Sequence, residues 1–181
     1  MKPPEEIEAK YRLTGPEAHA RLRDRLAALG ARPGGRVTED NVRYDRPDGA
    51  LRAQDTILRL RVHDGDPAGQ LTYKGPATRD GALKRRVELE TAVADAATLR
   101  AILAALGYAP TIQYAKQRET WHLDGAEIAL DTLEFGHFCE IEGPPDAITR
   151  LAAALDLPPE AAEPAGYPAL MARHRAAARA L

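Results

Sequence analysis

The chain has 181 residues, enough for one good-sized domain with a sizeable core, and its 44% apolar and 29% charged residues give an ordinary globular composition. A net charge of −2 argues against a dedicated nucleic-acid binder, which carries a marked basic excess. The single cysteine, Cys139, excludes an intramolecular disulfide; with no apolar leader and no membrane-length apolar run, a cytoplasmic protein is expected.

The first element is "EEIEAKYRL" (5–13), which alternates as a strand. Glu6, Glu8, Lys10 and Arg12 share one face; Ile7, Ala9, Tyr11 and Leu13 share the other. "TGPEAHARLRDRLAALG" reads as a helix. Thr14 or Gly15 can cap it, Pro16 suits its first turn, Gly30 suits its end, and Ala18, Leu22, Leu26 and Leu29 form its apolar stripe. "NVRYD" (41–45) is a weaker strand closed by the turn "RPDG". "TILRLRVH" (56–63) alternates strictly, and "QLTYKG" (70–75) is its hairpin partner across "GDPAG".

"ATRDG" reads as a turn before the strand "LKRRVELETAV" (83–93). Asp95 caps a second helix with Leu99, Leu103 and Leu106 inward. "TIQYAKQRETWHL" (111–123) and "AEIALDTL" (126–133) form a hairpin around Asp124-Gly125. "HFCEIEG" (137–143) is the last strand, a third helix spans about 145–155, and a fourth starts near Tyr167. Eight strands joined mostly by tight turns predict a largely antiparallel sheet, with about four helices. No repeat or linker divides residues 1–181, so a single domain is expected.

The charged positions recur two apart. Arg59 pairs with Arg61, Thr72 with Lys74, Lys116 with Arg118 and Glu140 with Glu142, while Arg86, Glu88 and Glu90 run together and Asp131 stands opposite Ile128 and Leu130. A sheet with one dry and one wet face shows such alternation anyway. A merely solvated face, however, need not keep near-pure like-charge pairs, and like charges on one face repel unless something of opposite sign joins them. The apolar faces offer a surface for the helices, so an eight-stranded sheet can close on its charged side. A closed charged interior is costly unless paired or solvated. It suits a highly charged ligand. The basic set Lys10, Arg59, Arg61, Lys74, Arg86, Lys116 and Arg118 matches a polyanion with several phosphates. The acidic set Glu6, Glu8, Glu88, Glu90, Asp131, Glu140 and Glu142 suits Mg²⁺ or Mn²⁺ bridging to phosphate.

Several segments resemble the CYTH superfamily, the triphosphate tunnel metalloenzymes. "EIEAK" looks like its ExExK signature. "LRLR", "LTYKGP", "RRVELET", the helix ending "LGY", "KQRETW", "IALDTLEFGHFCEIEG" and "EPAGYPALM" follow in matching order, and the whole is most similar to bacterial class IV adenylyl cyclases. The resemblance implies an α+β fold built on an eight-stranded antiparallel β-barrel or tunnel with a charged interior and about four helices packed outside. It implies metal binding by Glu6, Glu8, Glu90, Asp131, Glu140 and Glu142, and triphosphate binding by Lys10, Arg59, Arg61, Lys74, Arg86, Lys116 and Arg118. Glu6, Lys10, Lys74, Lys116 and Asp131 are the candidates for catalytic roles. The implied cofactor is Mg²⁺ or Mn²⁺, and the implied partner is a triphosphate-bearing small molecule: ATP, tripolyphosphate or thiamine triphosphate. No membrane or nucleic-acid partner is expected, and a homodimer is left open. "EDNVRYDRP" only loosely resembles the family's Asp-x-Tyr-Phe-Asp segment, with Arg43 at an internal position, so no role follows for Asp40, Tyr44 or Asp45.

The remaining singular residues read as structural. His19, His63, His122, His137 and His174 lack metal-ligand spacing, with His137 read as a surface residue in preference to one lining a tunnel mouth; Cys139 reads as packed, and Trp121 as packed outside the charged face in preference to stacking on a base. There is neither a GxGxxG nor a GxxxxGK[ST] motif. The same charge set would serve a cyclase, a triphosphatase or a non-catalytic binder, and no adenine pocket is legible.

Overall fold

The computed structural model describes residues 3–179. In chain order it contains β1 (Glu5–Leu13), α1 (Pro16–Ala28), β2 (Arg32–Asp45), α2 (Ala50–Ala53), β3 (Ile57–His63), β4 (Gly69–Lys74), β5 (Thr78–Asp80) and β6 (Leu83–Val93). It continues with α3 (Ala96–Ala105), β7 (Ala109–Leu123), β8 (Ala126–Leu133), β9 (Gly136–Glu142), α4 (Pro145–Ala154), a 3-10 turn at Pro159–Ala161 and α5 (Tyr167–Arg179). The strand order is β1-β9-β8-β7-β2-β3-β4-β6-β5, and β1 also pairs with β6. That closes eight strands into an antiparallel barrel, with β5 as an extra strand and the helices outside: an α+β fold. No helix among the described residues is long and apolar enough to cross a membrane.

Three segments differ from the sequence expectation. β5 occupies the stretch read as a turn, and α2 follows the "RPDG" turn. β2 begins at Arg32 rather than Asn41. Pro33, Gly34 and Gly35 look like breakers, yet glycine leaves room where the chain passes a neighbour: a Cβ on Gly34 would lie 2.7 Å from His122 Nε2 and would push that exposed ring aside. The Asp124-Gly125 turn has positive φ at both residues, the geometry that suits a two-residue hairpin.

The chain divides into two compact units. One comprises residues 3–6, Val37–Thr78 and Arg85–Lys116. Here β2, β3, β4 and β6 run antiparallel, with Val42, Tyr44, Leu60, Val62, Ala96 and Leu103 forming the core beneath α3. The Asp95 carboxylate accepts the Thr98 amide at 3.0 Å and starts α3. Leu103 is buried, whereas Leu106, expected inward, is 64% exposed because it is the C-cap residue, where the helical stripe has run out. Tyr73 and Leu89 face each other across β4 and β6 and stay 37% and 48% exposed, so no helix among the described residues buries this part of the apolar face.

The other unit comprises Ile7–Arg36, Arg79–Lys84 and residues from Gln117 onward. β1, β9, β8 and the second half of β7 form its sheet, and the alternation of β1 continues across the ladder. Ala9 and Tyr11 meet Ile141 and Cys139, while Lys10 meets Glu140. α1 and α4 lay Leu22, Leu26, Ile148 and Leu151 on the apolar face. Each such Leu or Ile contributes about 1.5–3 kcal/mol when fully buried. Leu29, read as part of the α1 stripe, is exposed; like Leu106 it is a C-cap residue.

Candidate functional site

The charged strand faces are largely buried in both units, with Glu90 and Glu142 exposed. In the first, cross-strand register assembles the side chains into rows: Asn41, Arg61 and Gln70 in one, and Arg43, Arg59, Thr72 and Glu90 in the next; Lys74 meets Glu88. Glu39 is 2% exposed and sits between two cations, with Oε1 3.2 Å from Arg61 Nη1 and Oε2 3.3 Å from Lys116 Nζ. Arg61 also donates to Asn41 Oδ1 at 3.1 Å. Lys74 Nζ lies 2.7 Å from Glu6 Oε1 and 2.9 Å from Glu88 Oε2, so two carboxylates share one ammonium. Burial pushes the Glu88 carboxyl up to about 8; Lys74 opposes the rise and the neighbouring Glu6 charge adds to it. Arg59 donates to Thr72 Oγ1 at 3.1 Å and lies 3.5 Å from Glu90 Oε1. Thr72 in turn donates to Glu90 Oε1 at 2.7 Å.

Arg59 and Arg86 are buried, yet each keeps an Nε donor with no acceptor among the described residues. Arg86 does donate through Nη2 to Asp55 Oδ2 at 3.1 Å. A buried donor without an acceptor costs about 1–3 kcal/mol, so two on one face mark a place suited to an anion. Asp45 has a different job. Its carboxylate accepts the backbone amides of Arg46, Leu51 and Arg52 at 2.7–3.0 Å and holds the start of α2. Tyr44 is core, and only Asp40 keeps the second strand's loose match without a role.

In the second unit the contacts form a closed cycle. Arg118 donates to both oxygens of Asp131, through Nε at 2.8 Å and Nη2 at 2.7 Å, a bidentate pair that fixes the guanidinium plane. Arg118 Nη2 also contacts Glu140, whose other oxygen lies 3.2 Å from Lys10 Nζ. Lys10 sits 4.2 Å over the ring of Tyr167, and the Tyr167 hydroxyl donates to Asp131 Oδ2 at 2.7 Å. Burial pushes the Tyr167 phenol well above its ordinary range, with the Asp131 and Glu140 charges adding. Glu8 pairs with Lys84 at 2.6 Å. Glu142 is exposed at the end of β9, facing Glu8 and Glu127 in register.

All of the sequence-derived site residues thus lie on these faces: Glu6, Arg59, Arg61, Lys74, Arg86, Glu90 and Lys116 in the first unit, and Glu8, Lys10, Arg118, Asp131, Glu140 and Glu142 in the second. Sequence reasoning missed Glu39, Asp55, Lys84 and Tyr167. Glu39 was legible: carrying the alternation of Asn41 and Arg43 back two residues puts it on the same face. Tyr167 was not, because a residue at the start of a helix carries no signal of the strand it will meet.

The acids fit a hard divalent cation of the Mg²⁺ type. Carboxylates occur in adjacent pairs, Glu6 with Glu88 and Asp131 with Glu140, each pair gathered around one cation. No three His, Cys, Asp or Glu side chains converge into a complete cage among the described residues. Mg²⁺ commonly takes only one or two carboxylates and completes its shell with water and substrate phosphate oxygens, so pairs are the donor set it needs.

Cys139 is wholly buried, and burial raises its thiol far above the ordinary value, which makes it inert packing. Trp121 packs against the core and donates Nε1 to Glu119 Oε1 at 3.0 Å. His137, read as a surface residue, is half-buried and stacks edge-on against His19.

The family model of the CYTH domain matches residues 4–169 and so runs through both units. No curated protein gives a significant match. Among solved structures, the PH1012 protein from Pyrococcus horikoshii OT3 is similar over 91% of this chain and 98% of its own, at 24% identity and a TM-score of 0.77. A Vibrio parahaemolyticus protein, provisionally described as an adenylate cyclase, is similar over 94% and 99% of the two chains, at 22% identity and a TM-score of 0.80. HpAC1 from Hippeastrum, a provisional adenylyl cyclase described as having a dominant triphosphatase activity, is similar over 89% and 91%, at 20% identity and a TM-score of 0.66.

Proposed function

The chain belongs to the CYTH family, and on that premise we propose that it is a divalent-metal-dependent enzyme acting on a triphosphate-bearing substrate, most like a class IV adenylyl cyclase converting ATP to cyclic AMP and pyrophosphate. The observation that carries the reading is the pair of buried guanidiniums, Arg59 and Arg86, whose Nε donors have no acceptor among the described residues. Such donors call for phosphate-like oxygens, and the remaining cations of the two faces, Lys10, Arg61, Lys74, Lys116 and Arg118, supply further charge. Both units count as one functional domain in this reading, since the family model spans them.

The chain's own residues then act by positioning and charge neutralisation, which dominate phosphoryl and nucleotidyl transfer. Arg59, Arg61 and Arg86 hold phosphate oxygens. Lys10 and Arg118, each braced on Glu140, present their charge in a fixed place. Glu6, Glu8, Glu90, Asp131, Glu140 and Glu142 would hold Mg²⁺ or Mn²⁺, and a bound ion would polarise the phosphorus under attack and activate the nucleophile. In the cyclase reading the ribose 3′-hydroxyl attacks the α-phosphorus and pyrophosphate leaves. In the triphosphatase reading water attacks the terminal phosphorus. The second reading is favoured by the activity described for HpAC1.

The test is to incubate the purified protein with Mg²⁺ or Mn²⁺ and ATP, tripolyphosphate or thiamine triphosphate, and to identify the products. Cyclic AMP with pyrophosphate supports the first reading. Orthophosphate without cyclic AMP supports the second, and tight binding without turnover refutes both in favour of a binder. Glu8→Ala and Glu140→Ala are expected to abolish metal-dependent turnover, and wild-type kinetics in both would sink the metal assignment.

A further inference from the structure

Arg43 stands out on the charged face of β2. It lies directly opposite Arg59 in the β2–β3 ladder, and like charges placed so repel. It is half-buried, and its guanidinium makes no hydrogen bond or ion pair with any described residue. Burial lowers its pKa; Tyr114 opposes that shift, Arg86 and Arg59 add to it, and Asp55 opposes it more weakly. The two arginines that repel it are the same two whose buried Nε donors lack acceptors. Every other buried cation of this unit has a carboxylate within ion-pair distance: Lys74 has Glu6 and Glu88, Arg61 and Lys116 have Glu39, Arg59 has Glu90 and Arg86 has Asp55. The segment carrying Arg43 is also where the sequence departs from the family pattern.

We propose that Arg43 is a specificity-determining residue, the third guanidinium of an Arg43–Arg59–Arg86 cradle that takes the most highly charged phosphoryl group of the substrate. This deepens the triphosphate reading and rests on it. A terminal phosphoryl group is dianionic near neutral pH and offers three oxygens, and three forked donors match that number where one or two would suffice for an internal, singly charged phosphoryl. In the absence of an anion Arg59 and Arg86 have Glu90 and Asp55 beside them, whereas Arg43 meets their positive charge with no ion-pair partner of its own among the described residues, a local instability that ligand binding relieves.

A structural arginine and a ligand-holding arginine predict opposite signs. Removing a structural contact lowers stability. Removing Arg43 is expected to raise the melting temperature of the ligand-free protein by ~2 °C, through loss of the repulsion. It should also weaken binding of tripolyphosphate ~10-fold or more, the effect of losing a charge-assisted contact. The experiment is calorimetric titration of tripolyphosphate and of pyrophosphate, each without metal, into the wild type, Arg43→Gln and Arg43→Lys, with melting temperatures measured alongside. The expected result is a more stable Arg43→Gln that binds tripolyphosphate ~10-fold more weakly, with Arg43→Lys recovering part of the affinity. Wild-type affinity in Arg43→Gln, or a fall in its melting temperature, overturns the proposal. Should the wild type bind pyrophosphate but not tripolyphosphate, with Arg43→Gln losing that binding, the cradle stands and the triphosphate reading falls. Should neither anion bind the wild type, the cradle itself is refuted.

Discussion

Glu39→Gln removes one charge from the most deeply buried carboxylate of the first unit while keeping its size. Glu39 lies 3.2 Å from Arg61 and 3.3 Å from Lys116, and the two cationic side chains are only 13% and 3% exposed. Taking one partner from a buried ion pair costs about 3–5 kcal/mol. Two features lower that figure here. Arg61 keeps its hydrogen bond to Asn41, and the glutamine oxygen can still accept from one cation. A net loss of ~2–3 kcal/mol follows, which for a chain of this length lowers the melting temperature by ~5–10 °C. A polyanion would restore negative charge beside Arg61 and Lys116, so millimolar tripolyphosphate should raise the melting temperature of the variant more than that of the wild type. Differential scanning fluorimetry with and without tripolyphosphate measures both effects. A variant melting within ~2 °C of the wild type would show that Glu39 does not carry these charges.

Two further outcomes are expected. Because the folded-state pKa of Glu88 is raised from 4.5 to about 8, the folded state binds more protons than the unfolded chain between those values. Stability therefore falls as pH rises through that window, by at most ~1.4 kcal/mol per pH unit; urea unfolding at several pH values should show the decline, and Glu88→Gln should flatten it. Equal pH profiles for the two proteins would refute the raised value. Asp45→Ala removes the acceptor for three backbone amides at the start of α2 and should lower the melting temperature by ~2–6 °C without changing metal-free affinity for tripolyphosphate. A loss of affinity as large as that expected for Arg43→Gln would instead place Asp45 in the site.

Much of the site was legible because strand side chains alternate with a period of two, which is a local property of the chain. Glu6, Glu8 and Lys10 share a face whatever β1 pairs with, and the same holds for Arg59 with Arg61 and Glu140 with Glu142. Cap chemistry is equally local, so Asp95 and the Asp124-Gly125 turn were readable from a few residues. Helix stripes were readable only up to the helix ends: the spacing that includes Leu29 and Leu106 does not say that the helix stops one residue earlier.

Which charges meet is set by the assembled fold. Lys74 finds Glu6 across 68 residues of chain, and Arg118 finds Glu140 across 22. These encounters depend on ladder register and on burial, which are properties of paired segments rather than of either segment alone. Register put Arg43 against Arg59 without an ion pair of its own among the described residues, and gave Glu39 two cations to hold. Tyr167 reached Asp131 and Lys10 only because α5 returns to strands far away in sequence. Local alternation along each strand is enough to give charged faces with both signs in pairs. The fold decided which of those charges neutralise one another and which donors are left for a ligand, because the cost of an unmatched charge is set by burial.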